Sequence, residues 1–255
     1  MQTDALRNTV ATALREAGEI ALQHFHQVRS TLKRDGSQVT VADVQAEEIL
    51  VASLTRHFPD SAIVAEEGDR VSGSDGTWYV DPLDGTGAFL DGLAHWGPTV
   101  SWVDDDGARL GASWFPLTGE LFYAERDGGA WRNETQLRPE PLDEVRRNDC
   151  LMVPSSFHRL PALAWPGKVR ALGSTAAHLA LVAAGGPVAC AVGDGWRMWD
   201  VAAGALMVQE AGRQLVDSSG SVYHPVRDHG RGFLAGDPTA LATLLPLLQR
   251  ARRDG

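Results

Sequence analysis

The chain contains the segment Trp78-Tyr79-Val80-Asp81-Pro82-Leu83-Asp84-Gly85-Thr86. Its apolar start, Thr77–Val80, is typical of a buried strand, and the strand ends abruptly at two aspartates. Pro82 fixes the turn between Asp81 and Asp84, so both carboxylates are expected to face one point. Gly85 allows a ligand to approach the backbone closely, and the amides of Gly85 and Thr86 are expected to point at an anion. A simple strand-to-helix cap is the alternative interpretation of an Asp followed by Gly.

A second strand with an acidic end lies just upstream. Ala62–Ala65 is a short apolar run, followed at once by Glu66. The interval from Glu66 to Asp84 contains a single base, Arg70, and six acids: Glu66, Glu67, Asp69, Asp75, Asp81 and Asp84. If the two strands are neighbours, several carboxylates meet at one sheet edge, and like charges packed so closely require a cation. All-oxygen ligands favour Mg²⁺, then Mn²⁺ or Ca²⁺. We interpret three of these acids, Glu67, Asp69 and Asp75, as belonging to a solvated loop.

Two further acids stand at predicted helix starts. Asp200 lies in the segment Trp199-Asp200-Val201-Ala202-Ala203-Gly204, and Asp43 follows Thr40 by three residues. Capping the helix N-terminus is the commonest role of an acid at such positions. Neither residue indicates a catalytic site by itself.

Composition and charge limit the classes of function. The 255 residues are 44% hydrophobic and 22% charged, as in an ordinary globular protein. The formal net charge of −10 disfavours binding to nucleic acid polymers or acidic membranes, and an anionic substrate would need bound cations. No segment approaches the about 20 apolar residues of a membrane span, and no export signal is visible. Cys150 and Cys190 cannot form a disulfide framework, so we expect a cytoplasmic protein.

The hydrophobic pattern predicts a layered α/β fold, or an α+β fold with a large antiparallel portion. An amphipathic helix is expected from Asp4 to about Phe25, followed later by a meander of the strands Thr99–Val103, Leu110–Trp114 and Glu120–Ala124. The polar segment Asn133–Asp149 is the best candidate for a boundary between two halves, residues 1–137 and 150–255, packed as one compact unit. In the second half, strands alternate with helices at Ser174–Ala184, Asp200–Ala211 and Pro238–Arg252.

Taken together, these motifs resemble the inositol monophosphatase family of metal-dependent phosphomonoesterases. The matching segments are Ala65–Gly68, Trp78–Thr86 and Trp199–Gly204, with weaker support from Val39–Asp43 and Gly173–Ala177. Their order and spacing run through nearly the whole chain, from about residue 5 to 245, which makes the combination highly specific. The resemblance implies an αβαβα sandwich, usually dimeric. It also implies hydrolysis of a phosphate ester by direct in-line attack of water.

The resemblance also implies roles for individual residues. Glu66, Asp81 and the Leu83 carbonyl would bind a first metal; Asp81, Asp84 and Asp200 would bind a second; and a third ion would lie loosely near Glu66. Asp43 and Thr86 would orient and deprotonate the attacking water, with Glu66 also in the catalytic set. The substrate-binding set would comprise Asp84, Gly85, Thr86, Gly173, Ser174 and Thr175. Two or three Mg²⁺ are expected, with Mn²⁺ as an alternative and with Ca²⁺ or Li⁺ as inhibitors.

The substrate pocket departs from the family pattern before Trp199. The acid that would bind a polyol hydroxyl is missing, and Asp194 is the nearest substitute. Arg197 brings a cation to the mouth of the pocket, and Gly87 and Ala88 replace the usual polar residue and Asn after Thr86. These changes favour a small phosphorylated polyol, sugar or nucleotide, because an uncompensated arginine favours hydroxyls or a second anionic group. Histidinol phosphate as substrate and a non-catalytic, metal-binding family member are the alternatives.

Other classes fit the sequence less well. Phosphatases with an aspartate nucleophile use a DxDGT motif, whereas two residues separate Asp81 from Asp84 here. Asp104–Gly107 resembles part of an EF-hand loop, but the first and twelfth positions would be Trp102 and Ser113, so we predict a hairpin turn instead. The eight histidines show no metal-binding spacing and are expected at the surface or satisfied in the core.

Overall fold

The computed structural model describes residues 2–34, 36–68, 70–159 and 163–253. Its helices are α1 (Gln2–His24), α2 (Val41–His57), α3 (Thr86–Leu90), α4 (Thr175–Ala183), α5 (Met198–Glu210) and α6 (Pro238–Arg253), with a 3-10 helix at Ser155–Arg159. These bounds confirm the helices predicted from the apolar periodicity. None of the described helices combines the length and the apolar character needed to span a membrane.

A large sheet of eight strands has the order β10-β9-β8-β7-β6-β5-β3-β4. In chain order the strands are β3 (Ala62–Ala65), β4 (Arg70–Val71), β5 (Thr77–Asp84), β6 (Gly97–Asp104), β7 (Gly107–Phe115), β8 (Glu120–Glu125), β9 (Gly129–Arg132) and β10 (Thr135–Gln136). The pair β3–β5 is parallel and the other pairs are antiparallel. A separate hairpin, β1 (Thr31–Leu32) and β2 (Gln38–Val39), precedes α2.

A second sheet of five strands has the order β12-β11-β13-β15-β14. Its strands are β11 (Cys150–Met152), β12 (Lys168–Arg170), β13 (Ala189–Val192), β14 (Gln214–Val216) and β15 (Phe233–Gly236). β11 runs parallel to both β12 and β13, whereas β15 is antiparallel to β13 and β14.

Five layers follow from the packing of these elements. α1 and α2 cover one face of the large sheet through an apolar core that includes Leu14, Leu50 and Trp78. α4 and α5 lie between the two sheets, and α6 covers the outer face of the second sheet with Leu241 and Leu244. The fold is therefore the predicted αβαβα sandwich. The division of the chain into two halves stays a prediction.

Two details differ from the sequence-based expectation or refine it. β5 continues past Val80 to Asp84 with a shift of register against β6, where Asp81 pairs with Thr99 and Asp84 with Gly97. This irregularity follows from Pro82, which has no amide hydrogen to donate to the ladder. The strand Gly129–Arg132 was not anticipated, because its short run carries little apolar alternation. The hairpin turn at Asp104–Gly107 is confirmed.

Candidate active site

Three acids meet at one edge of the large sheet. Each of Glu66, Asp81 and Asp200 places a carboxylate oxygen within 4.8 Å of the others. The reason lies in the parallel pairing of β3 with β5: Ala65 lies opposite Val80, and the Glu66 amide donates a 3.0 Å hydrogen bond to the Val80 carbonyl. Carboxyl ends of parallel neighbours share one sheet edge, as expected from the sequence.

Asp200 reaches this edge from a different layer, through the first turn of α5. Its Oδ2 accepts a 2.6 Å hydrogen bond from the Arg197 amide, so the side chain does cap the helix. The same carboxylate joins Glu66 and Asp81. The capping hydrogen bond therefore leaves the Asp200 carboxylate within the acidic cluster.

Asp84 is buried beside the cluster and is held by the start of α4. Its Oδ1 accepts hydrogen bonds from the Ser174 hydroxyl and, at 3.1 Å, from the Ala176 amide. The Ser174 oxygen also accepts a 3.0 Å hydrogen bond from the Ala177 amide as the N-cap of α4. Ser174, which the resemblance placed in the substrate pocket, thus orients Asp84 in this structure.

The acids carry an unfavourable electrostatic load. Burial raises the pKa of Asp84 to about 7 and that of Asp200 to about 6, with further contributions from neighbouring carboxylates. Burial, followed by the charges of Glu66, Asp84 and Asp200, raises the pKa of Asp81 well above its ordinary value. Buried oxygen donors that repel one another fit a divalent cation, which would satisfy the oxygens and neutralise the charge.

Lys33 contacts this cluster through an ion pair with Glu66. Its Nζ lies 2.9 Å from Glu66 Oε1 and 2.7 Å from Glu67 Oε1. Burial opposes the charge of Lys33, but the two carboxylates outweigh this effect and hold its pKa above the ordinary value. Nothing in the turn-rich sequence around Lys33 indicated this role, because the contact joins the β1–β2 hairpin to the end of β3.

The interpretation of Glu67 as a residue of a solvated loop was wrong. Its side chain is only 9% exposed, and burial raises its pKa to about 7 despite the contact with Lys33. Its amide donates a 2.7 Å hydrogen bond to Glu47 Oε2, which draws the segment against α2. Asp75 is exposed as expected, and Asp69 lies outside the described residues.

Asp43 and Thr86 form the pair expected from the resemblance. The Thr86 hydroxyl donates a 2.9 Å hydrogen bond to Asp43 Oδ1, while Asp43 Oδ2 accepts from the amide and the hydroxyl of Thr40 at 2.8 and 2.6 Å. Asp43 is therefore a capping-box acid whose second oxygen is turned towards the end of β5. Burial raises its pKa, although these hydrogen bonds oppose the shift. The Thr86 hydroxyl also lies 3.3 Å from the Leu83 carbonyl.

Two glycines bring the end of β5 against the start of α4. Gly85 has φ +90°, and a Cβ at this position would lie 2.9 Å from Ser174 Cβ. Gly173 has φ +82°, and its Cβ would lie 3.1 Å from that of Ala88. The segments that carry these residues are therefore in direct contact at the site, next to Thr175 at the first position of α4.

The remaining predicted pocket residues lie on the loop before α5. Asp194 is exposed, and its Oδ1 accepts a 2.6 Å hydrogen bond from the amide of Gly232, the residue just before β15. Arg197 is also exposed, and its side chain makes no hydrogen bond or ion pair with any residue that the structure describes. With Tyr79, Trp199 and others it lines an open groove next to the start of α5.

Comparisons with known proteins agree with this geometry. A model of the inositol monophosphatase family matches residues 2–253. An inositol-1-monophosphatase of Rhizobium meliloti is 34% identical over 244 residues, which cover 86% of this chain and 88% of that protein. A histidinol-phosphatase of Chlorobaculum parvum is 30% identical, with 94% and 95% covered. A solved IMPase structure from Thermotoga maritima has a TM-score of 0.86 at 26% identity and covers 98% of this chain and 99% of that one.

Proposed function

The chain belongs to the inositol monophosphatase family and is a metal-dependent phosphatase, and we propose that the acids around Asp81 form its active site. The observation that carries this assignment is the meeting of Glu66, Asp81 and Asp200 within 4.8 Å of one another, with Asp84 buried beside them. These carboxylates, together with the Leu83 carbonyl, would hold two or three divalent cations. Mg²⁺ is the ion that such a hard-oxygen donor set fits best.

Bound cations would lower the pKa of a coordinated water and screen the negative phosphoryl oxygens of the substrate. The chain's own contribution is to position the reacting groups. Thr86 and Asp43 are hydrogen-bonded to each other, and we assign them to orient the attacking water and accept its proton. We assign the amides of Gly85 and Thr86 to the phosphate oxygens, since Gly85 adopts the left-handed conformation that occurs in anion-binding turns of the backbone.

The substrate would be a small phosphate ester with hydroxyl groups or a second anionic group. Arg197 supports this choice, because its guanidinium is exposed, makes no ion pair with a described residue, and lies near enough to Asp200 to lower the pKa of that carboxyl. Inositol phosphates, sugar phosphates and nucleotide phosphates meet the requirement. Histidinol phosphate is the competing candidate, since one relative is a histidinol-phosphatase, but its ammonium group would face a like charge at Arg197.

The homodimer and the cytoplasmic location stay predictions. The first rests on the family resemblance. The second rests on the two free cysteines, of which Cys190 is buried and Cys150 half-buried.

Phosphate release from a substrate panel tests the proposed activity. The panel comprises inositol 1-phosphate, fructose 1,6-bisphosphate, 3′-phosphoadenosine 5′-phosphate and histidinol phosphate, each with Mg²⁺ and with excess chelator. We expect chelation to abolish turnover and Asp200→Asn to reduce it at least about 100-fold. Asp75→Asn, which removes an exposed acid outside the cluster, is the matched control. Activity that survives chelation would overturn the metal mechanism, and a clear preference for histidinol phosphate would overturn the role of Arg197.

A further inference from the structure

His178 is a buried histidine with a defined hydrogen-bonding role. Its side chain is 4% exposed in the middle of α4, and its Nε2 lies 2.9 Å from the Leu172 amide, which can only donate. The imidazole therefore accepts through Nε2 and carries its hydrogen on Nδ1. Burial, with a smaller effect of His95, lowers the pKa of His178 to about 4, so the ring is neutral near pH 7.

The amide that His178 binds belongs to the loop that holds Asp84. Leu172 is followed directly by Gly173, which packs on Ala88, and by Ser174, which donates a hydrogen bond to Asp84. The backbone between Leu172 and α4 is therefore fastened at two points: the imidazole on one side and the Asp84 carboxylate on the other.

We propose that His178 is a positioning residue of the metal site, which acts through the Leu172–Ser174 loop to orient Asp84. The inference rests on the proposed function, because it takes Asp84 as a metal ligand. An apolar side chain of similar size would fill the same volume but would leave the amide of the half-buried Leu172 without its hydrogen-bond partner. The loop would then rotate to solvate that amide and carry the Ser174 hydroxyl away from Asp84.

Among the residues that the structure describes, no carboxylate acts on the charge of the His178 ring. The titratable group that acts on it is His95, and His95 in turn is influenced by Glu120. Neither His95 nor Glu120 is assigned to the metal site. The coupling between His178 and Asp84 is therefore steric and hydrogen-bonded, through the loop.

Metal titration by calorimetry, with Mg²⁺ alone as the probe, separates positioning from packing. His178→Leu removes the acceptor, whereas His178→Gln places an amide oxygen near the position of Nε2. Val182→Ala shortens a buried side chain one turn further along the same helix and controls for loss of stability. We expect about tenfold weaker Mg²⁺ binding in His178→Leu, and near-normal affinity in His178→Gln and Val182→Ala.

Asp84→Asn, measured in the same way, separates this inference from the proposed function. If Asp84→Asn weakens Mg²⁺ binding and His178→Leu does not, the positioning role is wrong while the metal site stands. If Asp84→Asn leaves the affinity unchanged, the metal site itself is wrongly assigned. Nitrogen NMR of the wild-type protein at pH 7 gives a test that needs no variant: an unprotonated Nε2 on His178 supports the inference, and a protonated one overturns it.

Discussion

The Ser174 hydroxyl donates a hydrogen bond to the Asp84 carboxylate, and 90 positions of sequence separate the two residues. Asp84 ends β5 in the large sheet, whereas Ser174 caps α4 in the layer between the sheets. Both side chains are buried, so the bond fixes the direction of the carboxylate from within the protein. The fold therefore determines the orientation of Asp84, and burying this carboxylate contributes to the free energy of unfolding.

Without metal, Asp84→Asn is expected to stabilise the protein at neutral pH. Asp84 has a folded-state pKa of about 7, above its ordinary value of 3.8, so the folded protein binds the extra proton. A raised pKa contributes stability that is present below about pH 4 and is lost as the pH rises through 7. The variant should thus match the wild type near pH 4 and exceed it at pH 7.5 by up to about 4 kcal/mol, the equivalent of that shift.

Urea unfolding of chelated protein at several pH values measures this difference directly. Asparagine retains an oxygen that accepts from Ser174 and Ala176, so the hydrogen bonds are not the variable. Comparing the two proteins at each pH also cancels the opposite effect of His178, whose lowered pKa makes stability rise with pH between about 4 and 6.5. A difference in unfolding free energy that stays constant from pH 4 to 7.5 would show that the pKa of Asp84 is not raised in the folded protein.

Thr86→Ala should lower turnover by about 100-fold or more while Mg²⁺ affinity stays within about twofold. The hydroxyl contacts Asp43 and would orient water, but it is not assigned as a metal ligand. Thr86→Ser keeps the hydroxyl and is expected to retain most of the activity. Steady-state kinetics with calorimetric metal titration give both quantities, and full turnover in Thr86→Ala would remove the residue from the catalytic set.

Lys33→Gln is expected to destabilise the metal-free protein by about 1–2 kcal/mol, because Glu66 and Glu67 lose their shared counter-ion. A divalent cation would replace the missing charge, so saturating Mg²⁺ should stabilise the variant more than the wild type. Lys168→Gln, on the exposed strand β12, is the matched control. Thermal unfolding with and without Mg²⁺ tests the prediction, and equal stabilisation in all three proteins would contradict it.

Gly85→Ala and Gly87→Ala should behave differently although the two glycines are close neighbours. At Gly85 the left-handed backbone and the close approach of Ser174 Cβ are both incompatible with a methyl group. We therefore expect Gly85→Ala to lower the free energy of unfolding by about 1–3 kcal/mol and to reduce activity. At Gly87 the nearest heavy atom to an added Cβ is Gln38 Oε1 at 4.0 Å, and the position lies in α3. We expect Gly87→Ala to change the free energy of unfolding by less than about 0.5 kcal/mol. Denaturant unfolding would contradict the assignment if both variants lost equal stability.

Arg197→Ala should change substrate preference rather than chemistry. The ratio of kcat/KM for fructose 1,6-bisphosphate to that for histidinol phosphate is expected to fall about tenfold, since a charge-assisted hydrogen bond contributes about 1.5–3 kcal/mol. Arg170 is an exposed arginine elsewhere, on β12, and Arg170→Ala should leave the ratio unchanged. An unchanged ratio in Arg197→Ala would place the second substrate group elsewhere.

The local sequence was sufficient to predict the fold class and the strand and helix ends on which the candidate metal ligands lie. Strand ends at Ala65 and Val80 are visible because apolar runs stop at acids, and the helix starts at Asp43 and Asp200 carry capping signals. Each of these features is encoded within a few residues, where turn geometry and side-chain chemistry act directly. The motif order then indicated which acids belong to one site.

Tertiary structure alone decided what surrounds those ligands. No local pattern showed three of these contacts. They are the ion pair of Lys33 with Glu66, the hydrogen bond from Ser174 to Asp84, and the hydrogen bond from the Leu172 amide to His178. Glu67 was interpreted as an acid of a solvated loop because its burial and its contact with Lys33 are equally invisible in the local sequence. A residue's neighbours across the chain depend on how layers pack, and the burial that shifts a pKa or demands a hydrogen-bond partner exists only after the layers have closed.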